Sequence, residues 1–304
     1  MKCKKIILSS LLMLTGCSQA QTITKTDTEP TLELSQSRVQ VAVNKSFNYQ
    51  SFIKTASDKE DGDMVSKVEY TDIETSKSGS YQVDYSLKDS DHHEVRKSLK
   101  VDVVKMDDKG IYNPLDVTPD TIENPDDITA LVNKVNQIPK GWVPNDLEPV
   151  LDNKSQKLRK EANVAYTKFY NDAKAKGINI YSISGYRTND TQTLYWNNQV
   201  KVRGEQYASM YSAYPGRSEH QLGLAIDISY TTTGNRLNET VATSPLGKFI
   251  ISDAYKYGFI IRYPKDKIAI TNYAYEPWHM RYVGVELATK LNESGITLEE
   301  YYNQ

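Results

Sequence analysis

The sequence predicts two folded units, a small all-β sandwich followed by a larger α+β unit. Three observations carry this. The chain has 304 residues, about twice the length of one typical domain. Apolar residues recur with a period of two from Leu32 to about Lys105. Beyond that point, helical spacings of three and four alternate with short strands, without a strict βαβ rhythm.

At the start, Lys2, Lys4 and Lys5 precede an apolar stretch of eleven residues from Ile6 to Gly16. That is too short to cross a bilayer as a helix, which takes roughly 20 residues. A basic head and a short apolar core are the layout of a secretory signal, so 1–16 is expected to be removed on export. Leu14, Thr15, Gly16 and Cys17 resemble the lipobox of bacterial lipoproteins. The resemblance implies cleavage before Cys17, lipid on Cys17, and residence at the cell surface, anchored to the outer face of the cytoplasmic membrane. Residues 17–30 are polar and threonine-rich and read as a flexible tether.

The β unit is expected over 31–105. Val39, Val41 and Val43 alternate with polar residues, as do Tyr81, Val83, Tyr85 and Leu87, and then Leu99, Val101 and Val103. Turn signals at Asp61 to Asp63, Ser78-Gly79 and Asp89 to Asp91 separate the runs, which predicts an antiparallel sandwich. The strand from Gly79 to Tyr85 resembles those of bacterial Ig-like surface modules. His92 and His93 fall in a hairpin turn and read as solvated, because adjacent side chains of an extended chain point to opposite sides.

The α+β unit is expected over 106–304. Residues 106–149 are rich in Asp, Asn and Pro, with one short helix expected at Ile128 to Val135. Leu158, Ala162, Ala165, Phe169 and Ala173 make one apolar helical face, closed by Gly177. Ile178 to Ile183 reads as a strand. A helix follows from Asn189 or Asp190, another runs from Pro245 to Tyr257 with Gly258 at its end, Phe259 to Tyr263 is a strand, and the chain is helical from Val285.

Composition removes several function classes. The 37 basic and 39 acidic residues leave a formal charge of −2, which is no footprint for nucleic acid. With 38% hydrophobic and 25% charged residues the chain is not a polytopic membrane protein. The two cysteines, Cys3 and Cys17, cannot build a disulfide scaffold. The 22 tyrosines against 5 phenylalanines suit wet surfaces that handle polar polymers as well as half-buried packing.

The chemistry concentrates in two stretches. One holds Ser218, His220, Gly223, Ala225 and Asp227; the other is Glu276, Pro277, Trp278 and His279. Two imidazoles and a carboxylate can form a three-ligand zinc site with an open fourth position. Seven residues separate His220 from Asp227, about 23 Å if fully extended, so both reach one ion only if the chain turns back, which Gly223 permits. Leu224, Ile226 and Ile228 then face one side of a strand and Asp227 the other. Pro277 biases Glu276 away from helical geometry, so this is not a helical H-E-x-x-H arrangement. Glu276 is a spare carboxylate suited to general-base work. Spacing alone leaves a second reading open, in which each histidine is simply hydrogen-bonded to a nearby acid and Trp278 is core packing.

The S-x-H-x-x-G-x-A-x-D pattern at 218–227, E-P-W-H at 276–279, and Ser184, Gly185, Tyr186 and Arg187 upstream together resemble the VanY-type D-alanyl-D-alanine carboxypeptidases. The likeness runs over roughly 110–304. It implies the α+β zinc domain shared with hedgehog proteins, with Zn2+ held by His220, Asp227 and His279 and with Glu276 as base. It also implies that Arg187 meets the substrate near the scissile carbonyl and that Gln192, Ser218 and Tyr263 line the pocket. The implied substrates are peptidoglycan stem peptides, cut by a monomer on the L,D bond of tetrapeptides. Rivals are D,D cleavage of pentapeptides, endopeptidase action, and an adhesin with structural zinc.

Overall fold

The computed structural model describes residues 27–231 and 237–303. The expected signal peptide, Cys17 and most of the tether lie outside the described residues. Among the described residues, no helix is long and apolar enough to cross a membrane.

The N-terminal part contains β1 (Thr31–Leu34), β2 (Arg38–Ala42), β3 (Ile53–Asp58), β4 (Gly62–Asp63), β5 (Glu69–Tyr70), β6 (Gly79–Lys88) and β7 (Glu94–Val104). They form two sheets, β1-β3-β4 and β2-β7-β6-β5. Alternation buries Val83, Tyr85 and Leu87 of β6 and Leu99 and Val101 of β7, and these pack with Leu32, Ala56 and Met64 into one core. The expectation of purely antiparallel strands fails at one place: β2 runs parallel to β7, with Val39 beside Val101 and Val41 beside Val103. A period of two reports which face is buried and is the same for either strand direction. The β6–β7 turn falls where expected. His92 stands exposed there at φ 76°. His93 is exposed too, and its Nδ1 lies 2.9 Å from Asp89 Oδ2 and 3.0 Å from Asp27 Oδ2.

The second part begins with β8 (Asp120–Thr121), which pairs in parallel with β9 (Asn136–Gln137), and with β10 (Leu147–Pro149), antiparallel to β11 (Lys157–Arg159). Then follow α1 (Lys160–Ala175), β12 (Tyr181–Ser184), α2 (Asn189–Arg203), α3 (Glu205–Tyr211), β13 (Ala225–Ser229), α4 (Pro245–Asp253), β14 (Phe259–Ile261), α5 (Ile268–Thr271), β15 (His279–Tyr282), α6 (Val285–Ser294) and α7 (Leu298–Tyr302). An antiparallel sheet in the order β12-β13-β15-β14 forms the centre. Leu224, Ile226 and Ile228 turn to the core shared with Ala162, Tyr166, Phe169 and Ala173 of α1. Leu158, expected on that helix, is buried in β11 instead. The left-handed Gly177, φ 72°, lies just past α1 as expected. Helix α3 had no periodic signal; seven residues are too short to show one, and it is set off from α2 by Gly204 at φ 85°.

No helix forms at 128–135. Asn133 Oδ1 accepts the amides of Val135 and Asn136, an alternative to helical hydrogen bonds that short polar side chains provide. The carbonyls are claimed from afar. Arg281 Nη2 donates to Ile128 O and Ala130 O at 3.0 and 2.8 Å, and Arg217 Nη1 donates to Pro114 O and, at 2.8 Å, to Lys134 O. Arg159 Nη1 donates to Asp126 O, and the buried Lys134 Nζ to Tyr112 O. Residues 106–137 therefore form a strap held to the central unit by its carbonyl oxygens. The strap is also tied to the β-rich part. Arg38 grips Asp102 at 2.6 and 2.8 Å and reaches Asp120 Oδ2 and Thr118 O, each at 2.7 Å. Val104 packs with Tyr112 and Val117.

Candidate active site

His220 sits in the short 3₁₀ turn Glu219–Leu222, which ends at Gly223 with φ 70°. The left-handed glycine reverses the chain into β13, as the spacing required. In β13, Asp227 stands opposite His279 of β15 on one side and Ser184 of β12 on the other. Three sheet neighbours and one turn thereby bring together residues from separate parts of the chain. The ligand-capable atoms of His220, Asp227 and His279 lie within 4.8 Å of one another, all buried. Both rings meet the same carboxylate, so the two histidines and the acid form one cluster able to hold a metal ion rather than two separate pairs.

His220 Nδ1 donates to Gly185 O at 2.8 Å, which leaves Nε2 without a proton, facing Asp227 Oδ2 at 3.2 Å. His279 Nδ1 is 3.0 Å from Asp227 Oδ1 and 3.9 Å from Glu276 Oε2. A bare imidazole nitrogen against a carboxylate oxygen puts two acceptors face to face, a contact that a cation resolves. A set of two nitrogens and one carboxylate suits Zn2+. The protonation energetics agree. Burial and Arg187 push His220 down to about 4. Burial also opposes charge on His279, but hydrogen bonds to Asp227 and Glu219 outweigh it and raise it to about 9. Burial tends to raise Asp227, yet the two histidines hold its carboxyl well below the usual range. The cluster demands positive charge at its centre.

Glu276 precedes β15 and follows Tyr263, whose carbonyl accepts the Glu276 amide at 3.1 Å. Burial, reinforced by Asp227 and Glu219 against the pull of His279, raises its carboxyl to about 8. Trp278 is largely buried in the core and also lines the site cavity. Arg187 is anchored on four sides. Nε donates to Ser184 Oγ at 2.9 Å, Nη1 to Gln192 Oε1 at 3.3 Å and Nη2 to Asp227 Oδ2 at 3.0 Å, while the guanidinium lies 4.7 Å from the Tyr195 ring centroid. Gln192, itself buried, passes the anchor on to Ala213 O at 2.7 Å. Gln192 thus holds Arg187 rather than lining the cavity. Tyr263 packs 5.0 Å from the His279 ring, and Ser218 precedes the His220 turn; both line the cavity.

That cavity encloses about 420 Å³, a size suited to a short peptide end. Its walls include residues that the sequence reading passed over: Tyr195, Tyr207, Tyr211, Tyr273, Tyr275, Glu219 and Glu239. The tyrosine excess was the one signal for the five tyrosines, and the two glutamates had none.

The family described as VanY, D-alanyl-D-alanine carboxypeptidase, matches residues 155–285, a span that holds every site residue named above from Arg187 to His279. The chain is 46% identical over 192 residues to YodJ of Bacillus subtilis (strain 168), a protein that carries a carboxypeptidase name; the match covers 61% of this chain and 70% of that one. Among solved structures it is similar to the LdcB LD-carboxypeptidase, with a TM-score of 0.56 and 46% identity over 60% of this chain and 89% of that one. It is also similar to the vancomycin-resistance D,D-pentapeptidase VanY from a VanB-type cassette, solved in complex with Zn(II), with a TM-score of 0.50 and 35% identity over 57% of this chain and 98% of that one.

Proposed function

The chain belongs to the VanY family of D-alanyl-D-alanine carboxypeptidases, and on that premise we propose that it removes the C-terminal D-alanine of peptidoglycan stem peptides, acting on the L,D bond of tetrapeptides. The observation that carries the reading is the convergence of His220, Asp227 and His279 with a fourth carboxylate, Glu276, and a fixed cation, Arg187, in one cavity. A structural metal site needs neither of the last two, which disfavours an adhesin. Bound zinc would supply Lewis-acid polarisation of the scissile carbonyl. Glu276 takes the proton of the attacking water and returns it to the leaving amine, and its carboxyl would be pulled down by a bound zinc from the raised value of the metal-free site, so that it stands ionised as a base. Arg187, held by Ser184, Gln192 and Tyr195, offers a permanent charge to the developing oxyanion or to the terminal carboxylate.

Two supports favour L,D over D,D cleavage. Arg187, Ser218 and Tyr263 border the same cavity, with Gln192 behind Arg187, and the L,D relative is the nearer of the two solved structures by identity. Inverting the acyl-side centre exchanges a side chain with a hydrogen against a wall set by Arg187. Defined muropeptides digested with the purified chain and read by mass test this. Loss of one alanine from tetrapeptide is expected; trimming of pentapeptide with tetrapeptide left intact would reverse it to D,D. The reading places the enzyme outside the cytoplasmic membrane on a lipid at Cys17. A Cys17→Ala chain should leave the membrane fraction, and its retention there would refute the anchor.

A further inference from the structure

Glu219 stands one residue before His220, and its side chain is wholly buried. Its Oε1 accepts from Arg262 Nε at 2.6 Å and from Arg281 Nη1 at 2.7 Å. Its Oε2 meets one partner among the described residues, His279 Nε2, at 3.4 Å. The surrounding charges are already matched. Arg262 turns its two terminal nitrogens to Glu299 of α7 at 2.8 and 2.6 Å, and Arg281 also donates to the carbonyls of Ile128, Ala130 and Tyr282. Two guanidiniums thus face two carboxylates, and among the described residues His279 Nε2 is the donor within hydrogen-bond distance of Glu219 Oε2. An ionised carboxylate only accepts, so the imidazole nitrogen turned to it carries the proton.

We propose that Glu219 is a positioning residue for the metal centre, holding His279 in the tautomer with its proton on Nε2, and that α7 takes part through Glu299. The consequence is a bare Nδ1 aimed at Asp227, on the side where Glu276 also lies. The two histidines are then fixed by different devices: His220 by the Gly185 carbonyl and His279 by a carboxylate, which also raises the ring's basicity as a ligand. A purely structural purpose explains the arrangement poorly. Buried ion pairs add little stability over apolar side chains of similar volume. This inference rests on the reading of His279 as a zinc ligand, but on no assumption about substrate.

The test is zinc affinity of the full chain, measured by competition with a chromophoric chelator, in the wild type and in Glu219→Gln. The neutral amide should weaken zinc binding by roughly 10- to 100-fold. In the zinc-loaded wild type with ¹⁵N-labelled histidine, His279 Nε2–H should appear as a downfield proton protected from exchange. Glu299→Gln leaves Glu219 in place and should weaken zinc by a smaller factor. A folded Glu219→Gln with lowered thermal stability and unchanged zinc affinity would reduce the network to a structural one. Should Glu219→Gln not fold, the wild-type spectrum decides: an unprotected Nε2–H overturns the assignment. Failure to cleave peptides would bear on the function and leave these readouts untouched.

Discussion

Gly185 offers the sharpest test of how the site is built. A Cβ placed there would stand inside 3.0 Å of Lys157 O, 3.2 Å from Lys157 N and 3.3 Å from Lys157 C. All three are backbone atoms of β11, so relief requires one strand end to move by about 1 Å to reach ordinary contact. That shift pulls on three hydrogen bonds: Tyr186 N to Lys157 O at 2.7 Å, Gly185 N to Gln156 Oε1 at 2.8 Å, and His220 Nδ1 to Gly185 O at 2.8 Å. Overpacking of this kind costs about 1–3 kcal/mol, and loosening one buried hydrogen bond adds roughly 1 kcal/mol. Gly185→Ala should therefore lose about 2–4 kcal/mol in urea unfolding of the zinc-free chain. Because the displaced carbonyl sets the His220 tautomer, zinc affinity should fall with it, by roughly 10-fold or more. Gly204→Ala is the comparison: nothing lies within 4 Å of that Cβ, so its strain, at φ 85°, should cost stability and leave zinc affinity alone. A Gly185→Ala chain within about 0.5 kcal/mol of the wild type and with unaltered zinc affinity would refute the close approach and its link to His220.

Three further outcomes are expected. His220→Ala, Asp227→Ala and His279→Ala should each lower zinc occupancy by metal analysis, whereas Glu276→Ala should keep zinc and lose about 10²- to 10⁴-fold in turnover; zinc loss in Glu276→Ala would exchange base for ligand. In the zinc-free chain, the raised values of Glu276 and His279 mean that the folded state binds their protons more tightly than the unfolded state does. Their contribution is fully present below about 4.5 and is lost as pH climbs, the Glu276 part from 4.5 to about 8 and the His279 part from 6.5 to about 9. His220, held down to about 4, offsets the loss below 6.5, so urea midpoints should drop most steeply between 6.5 and about 9 without zinc, and a flat profile there would contradict the assigned shifts. Arg38→Ala should destabilise by about 3–5 kcal/mol, because it strands the fully buried Asp102 carboxylate; a loss under about 1 kcal/mol would show that Gln40 and Ser80 suffice for that charge.

What could be read along the chain was whatever local spacing encodes. Alternation separated Asp227 from Leu224, Ile226 and Ile228, and the glycine at 223 announced the reversal that joins His220 to it. The roles of Arg187 and Glu276 came from motifs, and the structure places both in the same cavity. Glu219 went unread because its partners, Arg262, Arg281 and His279, are far away along the chain and give it no local signature. The helix expected at Ile128 to Val135 failed for a related reason: its apolar residues are real, but Arg281 takes its carbonyls from 151 and 153 positions away. Gln192 was placed in the pocket and stands behind Arg187 instead, a distinction that only the hydrogen bond to Ala213 O reveals.

Arg217, Arg281 and Arg159 hold the strap by main-chain oxygens, which every amino acid carries. Such a grip does not depend on which side chains the strap bears, only on the path its backbone follows. Substitution can therefore proceed more freely at the exposed positions of 106–137 than at the buried ones, such as Tyr112, Val117 and Lys134, while each of the three arginines is bound to its place. Divergence among descendants of this sequence should then be lopsided, with the strap changing its letters quickly and the residues that clasp it changing slowly.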